Sequence, residues 1–152
     1  MKAKSGFTLV EILIVVVILG ILAAIVIPQF TEASEEARLS SLCTDLQTMR
    51  SQIELYKIQH RDELPGQQGG ADFTDSMIGY TDIDGVAETG PGDNIYGPYV
   101  QKIPTNQFND EDSIAEAAAT PAAADDQTGW FFNTLTGEWK ANDTADAGHW
   151  DL

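Results

Sequence analysis

Hydropathy along this chain changes character twice. From Phe7 to Ile27 the residues are continuously apolar for 21 positions, with Glu11 as the one charge. A helix of that length spans roughly 31 Å, the thickness of a bilayer's hydrocarbon core. After Pro28 the pattern becomes periodic. Phe30, Ala33, Ala37, Leu42, Leu46, Met49, Ile53 and Tyr56 recur at spacings of mostly three and four among polar residues, which predicts an amphipathic helix over 31–62 with one apolar stripe. Pro28 bends such a helix without ending it, and Pro65-Gly66 stops it. The stripe reads as the core face of a helix lying under a sheet.

The remainder is built from shorter signals. Residues 66–94 are rich in Gly and Asp and predict an irregular surface segment, with short helical or extended pieces around Phe73 to Tyr80. Gly97-Pro98-Tyr99-Val100 through Pro104 is apolar enough to dock on the helix. Ser113 to Glu116 fits a capping box before a short Ala-rich helix stopped at Pro121; a flexible insertion is the other reading of that Ala run. Gly129–Asn133 and Glu138–Ala141 are strand-like, and the turn between them places Gly137 for a left-handed conformation, so they predict an antiparallel hairpin.

The formal charge of −16, with only eight Lys and Arg and no basic cluster, argues against nucleic acid as a partner, because neutralising phosphates needs grouped cations. Cys43 is the single cysteine, so an intrachain disulfide and a cysteine metal cage are excluded. No nucleophile elbow, P-loop, metalloprotease or dinucleotide motif occurs in the sequence, and an enzyme is not expected. His60 and His149 read as exposed or hydrogen-bonded histidines, and Cys43 as a small apolar side chain beside the stripe. Lys2 and Lys4 precede the apolar run and the next basic residue is Arg38, which orients Met1–Gly6 to the cytoplasm and the rest outward.

Three readings of the N-terminus compete. A cleaved secretory signal has a shorter apolar run and a small-x-small site, which Leu22 and Ile25 spoil around Ala23 and Ala24. A plain signal anchor leaves Glu11 unexplained, since a carboxylate in an apolar span is costly without a partner; with no base in the span, that partner is expected from another chain or from an amine freed by processing. The third reading lies in Lys4-Ser5-Gly6-Phe7-Thr8-Leu9-Val10-Glu11, the apolar run, and Pro28. This segment resembles the N-terminus of type IV pilins and type II secretion pseudopilins, closest to the major pseudopilins.

That resemblance implies leader cleavage between Gly6 and Phe7, N-methylation of Phe7, and filament assembly through a helix that contains Glu11 and Pro28. It implies a pilin-like α+β fold: leader 1–6, transmembrane and assembly helix 7–30, and a head over 31–152 in which the amphipathic helix packs on a small antiparallel sheet. It further implies a bacterial inner-membrane protein, single-pass with an extracytoplasmic head. The expected partners are the membrane, prepilin peptidase, an assembly platform, minor pilins or pseudopilins, and further copies of itself. The absence of a C-terminal cysteine pair tilts the reading from pilus to secretion pseudopilus, while a pilus subunit and an anchored binding or adhesin domain stay open. No cofactor is required. Calcium is the one candidate ion, because major pseudopilins hold it in a C-terminal loop and Asp143, Asp146 and Asp151 stand in a comparable place; the Asp82-x-Asp84-Gly85 fragment lacks the ligand spacing of a calcium loop.

Overall fold

A computed structural model describes residues 6–67 and 70–152. Residues 1–5, including Lys2 and Lys4 of the expected leader, lie outside the described residues, as do Gln68 and Gly69. The chain divides into two compact units, Met1–Arg38 and Leu39–Leu152. The architecture is α+β: a long helix α1 (Leu9–Gln59), then α2 (Phe73–Ile78), six short strands and a final helical turn α3 (Ala147–Trp150).

Helix α1 continues through Pro28. Its first turn is set by Thr8, whose carbonyl accepts from Ile12 N at 3.3 Å. Its last turn closes where Arg61 and Asp62 adopt positive φ (56° and 71°), so that Asp62 N donates back to Lys57 O at 2.9 Å and satisfies a terminal carbonyl. Along the N-terminal unit the apolar side chains from Leu9 to Ile27, and Phe30 after them, are exposed. The stripe becomes core from Leu42 onward: Leu42, Leu46, Met49, Ile53 and Tyr56 are all buried, whereas Phe30, Ala33 and Ala37 are not.

In the second unit these five residues meet Leu64, Phe73, Met77, Ile103, Trp130, Phe132, Trp139 and Ala141 in one cluster. Phe73 of α2 lies 4.4 Å from the Phe132 ring centroid and stacks at 5.3 Å on Trp139, which in turn stacks at 5.3 Å on Trp130. Aromatic groups of this size supply most of the apolar area that a small head can bury. Tyr99 and Val100 pack against the cluster, as the Gly-Pro-Tyr-Val segment predicts, and both their amides donate to Met77 O. Gly97 makes this approach possible, with φ at 88° and the Gly79 carbonyl where a Cβ would stand.

Two three-stranded sheets form. In the first, β1 (Tyr80–Asp82) lies between β2 (Ala87–Glu88) and β3 (Ile95–Tyr96), all antiparallel. In the second, β5 (Trp130–Asn133) lies between β4 (Ile114–Ala117) and β6 (Trp139–Ala141). The β5–β6 hairpin pairs Trp130 with Ala141 and Phe132 with Trp139, and Gly137 turns at φ 76°.

Strand β4 corrects two expectations. The Ser113–Glu116 pattern predicts a capped Ala-rich helix, yet these residues enter a strand parallel to β5, so the second sheet is mixed rather than purely antiparallel. Trp130 N and Thr134 N donate to Ser113 O and Ala117 O at 3.1 and 2.9 Å. Trp130 opens the fully buried strand Trp130–Asn133 and Thr134 follows it, and a buried amide must find an acceptor. Pairing with that strand therefore outweighs the helix preference of a few alanines.

Candidate functional site

At the start of α1, Thr8 and Glu11 form a reciprocal pair. Thr8 N and Thr8 Oγ1 both donate to Glu11 Oε2 at 2.7 Å, and Glu11 N donates to Thr8 Oγ1 at 3.3 Å. This is a capping box: Thr8 is the cap residue, Glu11 the third helical position, and their side chains satisfy two of the amides that a helix start leaves unpaired. Beside the partner expected from another chain or from an amine freed by processing, Thr8 supplies Glu11 with two uncharged donors in its own chain. Thr-x-x-Glu was readable in the sequence as a helix start. The ionic problem posed by a carboxylate in an apolar span drew attention away from it.

Gly6 and Phe7 precede the helix and are exposed, with Phe7 at 84%. A scissile bond has to lie in such accessible, non-helical backbone to enter a peptidase. From Leu9 onward α1 is long and apolar enough to cross a membrane, and none of its most apolar stretch is buried. Pro28 sits inside the helix near the end of that stretch. The carbonyl one turn earlier lacks its usual amide donor there, which makes the position a ready bend.

Residues 1–27 carry a prokaryotic N-terminal methylation motif. The chain is 40% identical over 68 residues to type II secretion system core protein G of Pseudomonas aeruginosa, covering 45% of this chain and 48% of that protein. It is 35% identical over 68 residues to the protein of the same name from Dickeya chrysanthemi, covering 45% and 44%. It is also 41% identical over 54 residues to a fimbrial protein of P. aeruginosa, covering 36% and 35%. The matches thus span under half the length of these curated relatives. No solved structure matches the chain. The methylation motif and the exposed apolar helix together fit a membrane-anchored, pilin-like subunit.

In the head, the aspartates expected as calcium candidates have other partners. Asp143 is buried; its Oδ1 lies 2.7 Å from His149 Nδ1 and its Oδ2 accepts from Asn106 Nδ2 at 2.9 Å. Asp146 caps α3, accepting from Gly148 N at 2.8 Å, and Asp151 is exposed just past the same turn. Among the described residues no group of three or more His, Cys, Asp or Glu side chains gathers to hold a metal ion. The residues present therefore do not fit a carboxylate cage, which needs six or more oxygens converging on one point.

His60 and His149 are both buried and hydrogen-bonded. His60 stacks on Tyr56 at 3.7 Å, with Nδ1 2.9 Å from Tyr56 O and Nε2 2.9 Å from Thr81 Oγ1. One neutral tautomer satisfies both contacts, Nδ1–H donating and Nε2 accepting. Cys43 is half-buried on α1. Sequence reasoning did not single out Asn106, which donates from Nδ2 to both Gly129 O and Asp143 Oδ2 and ties two distant segments together. A lone Asn in a polar loop carries no pattern that announces such a role.

Proposed function

We propose that this chain is a structural subunit of a pilin-like filament, most specifically a pseudopilin of a type II secretion system. The observation that carries the reading is the register at the N-terminus: Gly6-Phe7, Glu11 four residues further, an uninterrupted apolar helix, and Pro28. Prepilin peptidase removes residues 1–6 and the new amine of Phe7 is methylated. The exposed helix holds the subunit in the inner membrane with its head outside, until an assembly platform transfers it into a filament with further copies and minor pseudopilins. Burial of the apolar helices against one another then replaces their burial in lipid. The role is mechanical.

Intact-mass measurement on the membrane fraction tests the processing. The mature species is expected to begin at methylated Phe7, and loss of the two leader lysines takes the formal side-chain charge from −16 to −18. Retained Met1, or a cut after Ala24, refutes the reading. Similarity to a fimbrial protein favours the pilus alternative, and deletion of the gene separates the two. Loss of exoprotein secretion with surface pili intact supports the pseudopilus; loss of pili with secretion intact supports the pilus.

A further inference from the structure

The two edges of the second sheet are finished differently. At β6 the edge is partly covered: Arg50 donates from Nε and Nη2 to the outward Trp139 O at 3.1 and 2.8 Å, and α3, tied by Lys140 Nζ donating to Trp150 O at 2.8 Å, lies against the strand. At β4 it is open. The bonds from Trp130 N to Ser113 O and from Thr134 N to Ala117 O direct the odd-numbered residues of β4 toward β5. In a parallel ladder the alternate residues, Ile114 and Glu116, then point their amides and carbonyls away from the sheet. Among the described residues these outward groups have no hydrogen-bond partner outside the ladder.

We propose that the outer edge of β4 is a docking site for an extended, Lys- or Arg-bearing segment of a partner protein, which joins the sheet as a fourth strand. Backbone pairing supplies the register, and charge selects the partner. Between Lys102 and Lys140 the sequence contains no Lys, Arg or His, while Asp110, Glu111, Asp112, Glu116, Asp125 and Asp126 surround the strand in sequence. Glu116 is exposed on the strand, and its carboxyl is raised above the ordinary value by desolvation first and by the Asp72 carboxylate second. A cation from the incoming strand neutralises Glu116. A second copy of this chain is the poorer occupant, because edge-to-edge pairing of two β4 strands brings like carboxylates together. The docking surface lies in residues outside the long helix Leu9–Gln59.

The test uses the full-length protein in detergent micelles and three short synthetic peptides: alternating Lys and Val, the same peptide with Pro in place of Val, and alternating Glu and Val. Residue-resolved amide exchange is the readout. The Lys-Val peptide is expected to slow exchange at Ile114 and Glu116 by on the order of tenfold, and the other two are expected to leave those amides unchanged. Glu116→Lys should transfer the protection to the Glu-Val peptide, and Glu116→Gln should weaken it without lowering the melting temperature. Equal protection by the Pro-containing peptide reduces the effect to bulk charge attraction and overturns the proposal. Protection without any peptide that grows with protein concentration assigns the edge to a second copy and overturns it too, as does the absence of protection at both amides.

Discussion

Arg50 of the long helix forks onto the backbone carbonyl of Trp139, through Nε at 3.1 Å and Nη2 at 2.8 Å, while its Nη1 donates to Leu152 O at 2.8 Å. One guanidinium thereby ties α1, the edge strand β6 and the residues after α3. It also satisfies a carbonyl that would otherwise be left on a sheet edge, beside a Trp139 whose own Nε1 is buried without a partner. Hydrogen bonds from a charged donor are worth roughly 1.5–3 kcal/mol each at most, so the fork is a substantial share of a small head's stability.

Replacing Arg50 by Ala is therefore expected to destabilise the head by about 2–3 kcal/mol. That corresponds to a fall in melting temperature on the order of 10 °C. Arg50→Lys should recover only part of the loss, because an ammonium on a flexible stem lacks the planar fork. Thermal melts of the two variants check this, and a full recovery by lysine would show that charge alone matters.

The capping box makes separate claims for shape and charge at Glu11. Glu11→Gln keeps an acceptor for Thr8 N and Oγ1 and should preserve the helix start, whereas Glu11→Leu removes it. Both variants are expected to insert into the membrane and be cleaved. If the carboxylate also meets the processed Phe7 amine of a neighbouring subunit, both lose assembly. Normal filaments from Glu11→Gln with none from Glu11→Leu would assign the residue to capping alone. Electron microscopy of sheared filaments, beside an immunoblot for the processed subunit, distinguishes these outcomes.

Acid titration should show two glutamates acting in opposite directions. Glu138 is held below the ordinary value of 4.5, first by the Thr120 hydroxyl donating at 2.5 Å and, after a smaller opposing burial effect, by Lys140. Its contribution is complete above that ordinary value and is lost as pH falls through its lower folded value. Glu116 is raised, chiefly by partial burial, so ionising it costs stability as pH climbs from 4.5 toward its folded value. Glu138→Gln should flatten the acid limb of a stability-versus-pH curve measured by urea melts, and Glu116→Gln should raise the curve on its neutral side.

Calcium offers a direct contrast. With Asp143 engaged by His149 and Asn106, and Asp146 capping α3, neither calcium nor magnesium is expected to raise the melting temperature of the protein. A rise with calcium alone would mean that Asp143 exchanges its internal partners for the ion. Asp143→Asn is then expected to abolish the rise, and should in any case destabilise the fold by loosening the contact with His149.

What the sequence by itself determined is confined to information carried by neighbours along the chain. Hydropathy over Phe7–Ile27, the Gly6-Phe7-Glu11-Pro28 register, the short helical or extended pieces around Phe73 to Tyr80 and the Gly137 turn each depend on one contiguous stretch of chain. Tertiary structure decided the rest. The apolar stripe begins at Phe30, yet only the other side of the core selects Leu42 as the first residue buried. Ile114–Ala117 is locally compatible with a helix, and it becomes a strand because amides at both ends of a buried strand sixteen residues later bond to the carbonyls of Ser113 and Ala117. Asp143 looks like a surface acid until Asn106 and His149 close around it. In each case the deciding partner is remote in sequence, and burial makes an unpaired polar group too costly to leave, so the outcome is settled by which groups the folded chain brings together.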